Sequence, residues 1–169
     1  DGLNAAGGTT SSSGWGRPGG GNASDSSGLI NITGGTVTVN AGGDGIDSNG
    51  NGVFDGAKVY VISTSGGNSC LDTEKGFTFS SGEVLAVAPS DSMWNEVTPY
   101  TKSGLIKTSL GNATSGDFVI IKDASGNVLR AISMPTNIRC GAVYLGDESA
   151  SSALIGSFDA AVDKNGVSI

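Results

Sequence analysis

Apolar residues in this chain alternate with polar ones in short runs, and nowhere recur at sustained helical spacing. Three segments superimpose. They are Leu29-Ile30-Asn31-Ile32-Thr33-Gly34-Gly35-Thr36-Val37-Thr38-Val39, then Gly52-Val53-Phe54-Asp55-Gly56-Ala57-Lys58-Val59-Tyr60-Val61, then Phe77-Thr78-Phe79-Ser80-Ser81-Gly82-Glu83-Val84-Leu85-Ala86-Val87. Val37 to Val59 is 22 positions and Val59 to Val84 is 25. A period in the low twenties, made of short strands and glycine corners, predicts a solenoid. Ile30 and Ile32 share one parity, and Val37 and Val39 the other, with the switch at Thr33-Gly34-Gly35. Side chains alternate faces along a strand, so a switch at a glycine pair marks a corner that keeps the apolar side buried. The expected fold is all-β: a right-handed parallel β-helix with a small C-terminal β module capping or extending it.

The superposition predicts interior columns. Ile32, Phe54 and Phe79 form one, Val37, Val59 and Val84 a second, and Val39, Val61 and Ala86 a third. Asp1-Gly2-Leu3-Asn4, Asp44-Gly45-Ile46-Asp47 and Ser69-Cys70-Leu71-Asp72 align as well, so Leu3, Ile46 and Leu71 point inward beside a column of Asn4, Asp47 and Asp72. Residues 1–95 are assigned to the rungs, with a Gly/Ser-rich surface loop at 9–27. Residues 96–169 are assigned to the β module. There, Asp117 to Lys122 and Val128 to Ile132 read as a hairpin around a glycine turn, with further strands expected near Ala142 to Leu145 and Ser157 to Val162.

Composition supports the strand reading, because the apolar set leans on Val and Ile. A net charge of −7 argues against nucleic acid, since little would neutralise phosphates. No apolar run is long enough to span a bilayer, so no membrane insertion is expected. The chain opens at Asp1 already in patterned sequence and reads as a mature or trimmed product. Cys70 and Cys140, in a Ser/Thr/Gly-rich chain poor in lysine, make an extracellular disulfide the expectation over two free buried thiols. Asn22, Asn31 and Asn112 fit the glycosylation pattern, which arises often by chance in such a composition.

Asp1-Gly2-Leu3-Asn4-Ala5-Ala6-Gly7-Gly8, the Gly-rich insert, Ile32-Thr33-Gly34-Gly35-Thr36-Val37 and Gly43-Asp44-Gly45-Ile46-Asp47-Ser48-Asn49-Gly50 together resemble a family of secreted carbohydrate-binding β-helix proteins of cellulose-degrading anaerobes. The resemblance covers residues 1–95 well and the rest loosely. It implies a fold shaped like a pectate lyase, calcium as cofactor, and plant-wall polysaccharides such as cellulose or polygalacturonate as partners. It also implies an extracellular or cell-surface location.

Candidate sites follow from the column. Neighbouring strands lie about 4.8 Å apart, so Asn4, Asp47 and Asp72 hold their oxygens close together, with Asp1 and Asp44 nearby. Carboxylates at that spacing repel, and a hard cation taking six to eight oxygens relieves them. The competing reading is that these residues cap turns through their own backbone. Asp47, Asn49, Asn51 and Asp55 also carry EF-type spacing, but Lys58 stands where a bidentate Glu belongs and no helices flank the loop. Trp15 and Tyr60 are the candidates to stack on sugar rings, with Trp94 and Tyr100 behind them.

The functional expectation is a non-enzymatic, calcium-dependent polysaccharide binder. Two alternatives stand beside it. One is a self-assembling filament subunit that stacks end to end. The other is a pectate-lyase-like enzyme with Lys58 as base, although its alternation with Val59 puts it outside. The absence of histidine excludes Ser-His-Asp and His-metal sites.

Overall fold

A computed structural model describes residues 1–5, 27–90 and 105–169. In chain order the strands are β1 (Leu3–Ala5), β2 (Leu29–Thr33), β3 (Thr36–Ala41), β4 (Ile46–Ser48), β5 (Asn51–Asp55), β6 (Ala57–Ser63), β7 (Leu71–Thr73), β8 (Phe77–Phe79) and β9 (Gly82–Pro89). They continue with β10 (Ile106–Ala113), β11 (Phe118–Asp123), β12 (Val128–Ser133), β13 (Ile138–Leu145) and β14 (Ala150–Gly156). The described residues form no helix.

The expected right-handed β-helix is corrected. The strands form four separate sheets: β1-β4-β7, β2-β5-β8, β10-β13-β9-β6-β3 and β12-β11-β14. Pairing is mixed. It is parallel among the first nine strands and antiparallel where β13 meets β9 and β10, and throughout β12-β11-β14. The apolar repeat covers only three turns of chain, and after β9 the next neighbour is an antiparallel strand, so no solenoid is propagated. Among the described residues the C-terminal strands extend the first ones and do not cap them, because β13 lies beside β9 in one sheet. The boundary drawn at 95/96 falls outside the described residues.

The repeat did anticipate register. Ile32 pairs with Phe54 and Phe54 with Phe79. Val37 pairs with Val59 and Val59 with Val84, while Val39, Val61 and Ala86 line up two residues on. Leu3, Ile46 and Leu71 align, as do Asn4, Asp47 and Asp72. The hairpin of β11 and β12 forms with Phe118 opposite Ser133. The strand expected at Ser157 to Val162 lies instead at Ala150–Gly156, where it pairs with β11; Val162 makes only an isolated bridge to Ser168.

The five-stranded sheet is buried on both faces. Along β6, Val59 and Val61 enter one core with Phe54, Val84, Ala86 and Leu145, while Tyr60 and Ile62 enter a second with Leu85, Val87, Val119, Ile121 and Ile132. Phe54 stacks on Phe77 with ring centroids 4.9 Å apart, just where Gly52 leaves no side chain in the way. The second layer, β12-β11-β14, covers the face that the sequence pattern left to solvent.

One polar network crosses between the layers. Glu83 on β9 is buried at 8% exposure. It accepts hydrogen bonds from the hydroxyls of Tyr60 (2.6 Å) and Tyr144 (3.0 Å), and from Nε of Arg130 on β12 (3.0 and 3.1 Å). Nη2 of Arg130 lies 2.9 Å from Glu83, Nη1 donates to the Ser168 carbonyl at 2.6 Å, and the guanidinium sits 5.5 Å from the Tyr60 ring centroid. A buried carboxylate without its guanidinium is an uncompensated charge. Arg130→Met is expected to cost about 3 kcal/mol or more in urea denaturation, and Glu83→Met with Arg130→Met together less than Arg130→Met alone. A cost near zero for Arg130→Met would show that the network does not join the layers.

Candidate functional site

The Asp-Gly-Ile-Asp segment shows why its residues converge. Backbone bonds from Gly2 to the Asp44 carbonyl and from Gly45 to the Ser69 carbonyl, both 2.9 Å, extend the ladder of β1, β4 and β7 one residue outward. Asp1 and Asp44 thereby sit beside each other at the mouth of that sheet. Gly45 is required by close approach, since a Cβ there would fall 2.2 Å from Val61 Cγ1 and 2.4 Å from the Cys70 carbonyl. Ile46 then turns inward, fully buried, and alternation sends Asp47 outward.

The result is a group of three carboxylates, from Asp1, Asp44 and Asp47, whose oxygens lie within 4.8 Å of one another. Asn4 Nδ2 donates to Asp1 Oδ2 at 3.0 Å and also to Asp47 Oδ2, so the amide sits between two of them. Asp44 Oδ1 accepts from the Ser69 backbone N–H at 2.7 Å, which ties the group to the next turn of chain. Asp72 stands in register beside Asp47 on the neighbouring strand. Burial, and then the charges of Asp72 and Asp44, push the Asp47 carboxyl above its ordinary value; the amino group of Asp1 acts the other way and Glu74 adds to the rise. The donor set is all oxygen and anionic, as a hard divalent cation requires. Ligands about 2.4 Å from one such ion lie no more than about 4.8 Å apart.

The other predicted residues do not join this group. The residues with EF-type spacing, which Lys58 already sets against an EF-hand, do not curl around one point. β5 runs extended from Asn51 to Asp55, which separates those two by about 13 Å at the usual strand rise. Asp55 instead accepts a hydrogen bond from Ser81 Oγ at 3.0 Å. The corner before β5 is held by the Ser48 hydroxyl, which donates to the Asn51 carbonyl and accepts from the Gly50 N–H. Asn49 N–H bonds the Ala5 carbonyl at 3.2 Å, which makes Asn49 a corner residue between β4 and β5. Lys58 stands on β6, in a different sheet from the carboxylates, so it is not the base beside a calcium column that lyase chemistry would want.

Tyr60 cannot offer its face to a sugar ring, because it is 2% exposed and its hydroxyl is committed to Glu83. Trp15, Trp94 and Tyr100 lie outside the described residues. The expected Cys70–Cys140 disulfide is not formed. Both thiols are free and buried, and they belong to the two different cores on opposite faces of the five-stranded sheet. Desolvation raises them to about 12 and about 11, so they are poor nucleophiles. A thiol reagent such as Ellman's is expected to titrate two thiols after unfolding in denaturant and none in the folded protein. Absence of reaction in denaturant would reveal a disulfide.

No pattern of residues announces the Glu83-Arg130-Tyr60-Tyr144 network. Its one trace is a lone acid directly before the apolar run Val84-Leu85-Ala86-Val87. No protein-family model, curated protein or solved structure matches the chain, so the functional argument rests on its own residues.

The electrostatics of Asp47 set a testable sign. A carboxyl raised in the folded state lends stability below its unfolded value and withdraws it as pH rises through the folded one. At neutral pH without a cation, ionised Asp47 therefore opposes folding. Asp47→Asn in chelator at pH 7 is expected to raise Tm slightly. Calcium at about 100 times its Kd stabilises by about 2.7 kcal/mol, or roughly 5–10 °C for a chain of this size. Scanning calorimetry should show that rise in the parent protein and lose it in Asp47→Asn. An equal calcium shift in both would remove Asp47 from the site.

Proposed function

We propose that this chain is an extracellular, calcium-dependent polysaccharide-binding protein whose Asp/Asn cluster holds the cation and, through it, an acidic glycan. The observation that carries the reading is the convergence of Asp1, Asp44 and Asp47 within 4.8 Å, with Asn4 between them and Asp72 in register. Like charges held this close cost free energy unless something compensates them. Calcium would do so and keep open coordination positions, because three carboxylates ligating through one oxygen each, with one amide oxygen, supply fewer than the six to eight oxygens it takes. Asn4 now presents its nitrogen to both carboxylates, and it would turn its amide oxygen inward to ligate.

The open positions are what would bind. In a protein of charge −7, a uronate or other acidic glycan is repelled unless a divalent ion bridges the two sets of carboxylates. The cluster lies at the exposed end of a sheet, where a polymer has access: Asp1 and Asn4 are both exposed. The resemblance to carbohydrate-binding proteins supports the same partner class through its Asp-Gly motifs, not through a shared solenoid.

Self-association is the second reading. Among the described residues β1, β2 and β3 each end a sheet, with exposed Leu3 and Leu29 on that side. Opposite them, Leu71, Phe77 and Phe79 are already buried, so a head-to-tail stack finds no matching open apolar end. The polysaccharide reading has the stronger support.

Sedimentation with insoluble polygalacturonate tests it. Retention is expected in calcium and loss, by tenfold or more, in chelator or in an Asp44→Asn/Asp47→Asn variant. Equal retention with and without chelator would refute the bridging role of calcium, and no retention in either would refute the glycan.

A further inference from the structure

A second candidate site lies away from the carboxylates, in a cavity of about 260 Å³ lined by Thr36, Lys58, Tyr60, Arg130, Asp163 and the segment Val167 to Ile169. Three parts of the chain wall it: β3 and β6 of the five-stranded sheet, β12 of the layer above, and the residues after Asp163 that bridge to Ile132. In a protein with nine basic and sixteen acidic residues, two of the basic ones converge here.

The donor inventory of the lining is incomplete in a specific way. A guanidinium carries five N–H donors and no acceptor. Arg130 uses its Nε–H and one Nη2–H on Glu83 and one Nη1–H on the Ser168 carbonyl. Two donors meet no partner among the described residues, on a side chain that is only 17% exposed. Lys58, on the same wall, makes no ion pair with any described residue and is exposed at the cavity mouth. Asp163 Oδ1 is occupied by the N–H groups of Asn165 and Val167, whereas Oδ2 receives only one long contact, 3.5 Å from Asn165 Nδ2. That oxygen is available as an acceptor. Val167 and Ile169 supply an apolar side.

A ligand matched to this lining carries an anionic group toward Lys58 and Arg130, at least one hydroxyl toward Asp163, and a carbon framework against the apolar side. The volume limits it to one small ring or an equivalent short chain. We propose that the cavity binds a small hydroxylated carboxylate, of which a single acidic sugar residue is the representative class, with Lys58 and Arg130 on the carboxylate and Asp163 on a hydroxyl. A simple anion would satisfy the cations but leave Asp163 unused and repelling it. A neutral sugar would leave Lys58 without a counter-charge. The site needs no metal, so it stands or falls separately from calcium bridging at Asp1, Asp44 and Asp47.

Calorimetric titration of the full chain in chelator tests it, with glucuronate, methyl glucoside and acetate as probes. Glucuronate is expected to bind at least tenfold more tightly than either of the others. Lys58→Gln, an exposed change outside both cores, is expected to weaken glucuronate at least fivefold with Tm unchanged. Asp163→Asn is expected to narrow the preference for glucuronate over acetate. Equal binding of glucuronate and acetate would reduce the cavity to an unspecific anion site and overturn the proposal. So would glucuronate binding that is undetectable, or that Lys58→Gln leaves intact.

Discussion

The five-stranded sheet β10-β13-β9-β6-β3 must bury both of its faces at once, and the rest of the structure depends on that requirement. Alternate residues of β6 and β9 go to different cores: Val59, Val61, Val84 and Ala86 to one, Tyr60, Ile62, Leu85 and Val87 to the other. A slip of one residue in either strand would exchange the two sets and place the Tyr60 hydroxyl and the Glu83 carboxylate in the wrong, wholly apolar core. Register is therefore fixed in the central sheet. The shorter parallel sheets β1-β4-β7 and β2-β5-β8 take theirs from the same repeat through Gly-containing corners. The position of Asp47 beside Asn4 and Asp72 is a consequence of that register, several residues away from the core that sets it.

Charge is distributed in keeping with this plan. The anionic group sits at the margin of a three-stranded sheet, where water and a cation can compensate it. The one acidic side chain the described cores do admit, Glu83, is answered at once by Arg130 and two tyrosine hydroxyls. Burial drives both tyrosine hydroxyls well above their ordinary value, so they remain donors to Glu83 throughout the physiological range. The two binding regions proposed above are thus opposite in sign: carboxylates awaiting a cation at one, ammonium and guanidinium donors awaiting an anion at the other.

Much of the local order was legible in the sequence. The parity switch at Gly34-Gly35 placed a corner, and the aligned Asp-Gly-Ile-Asp and Ser-Cys-Leu-Asp segments placed Asp47 beside Asp72. Alternation tells which residues share a face, but it does not tell what covers each face. That is why a solenoid was expected where four separate sheets form, and why Tyr60, read as an outward aromatic, lies beneath a second layer. The same gap explains Cys70 and Cys140: their even number and the composition did not reveal that they enter different cores, on opposite faces of the five-stranded sheet. The EF-type spacing at Asp47 to Asp55, which Lys58 already argued against, gathers no ligand set because ligand spacing presumes a loop that curls, and residues after Asn51 run straight. Arg130 and Glu83, 47 positions apart, had no shared pattern to connect them. Nothing local in a hairpin strand marks an arginine as the partner of a buried acid in another sheet.

The central claim is that the register of β1, β4 and β7 builds a cation site from Asp1, Asn4, Asp44 and Asp47. Anomalous diffraction from crystals of the protein grown with a lanthanide in place of calcium locates such an ion without reference to affinity or activity. The expected result is one strong peak bounded by the carboxylates of Asp1, Asp44 and Asp47, with the Asn4 amide oxygen turned toward it. A peak confined to other residues, or none at this cluster at saturating lanthanide, would contradict it.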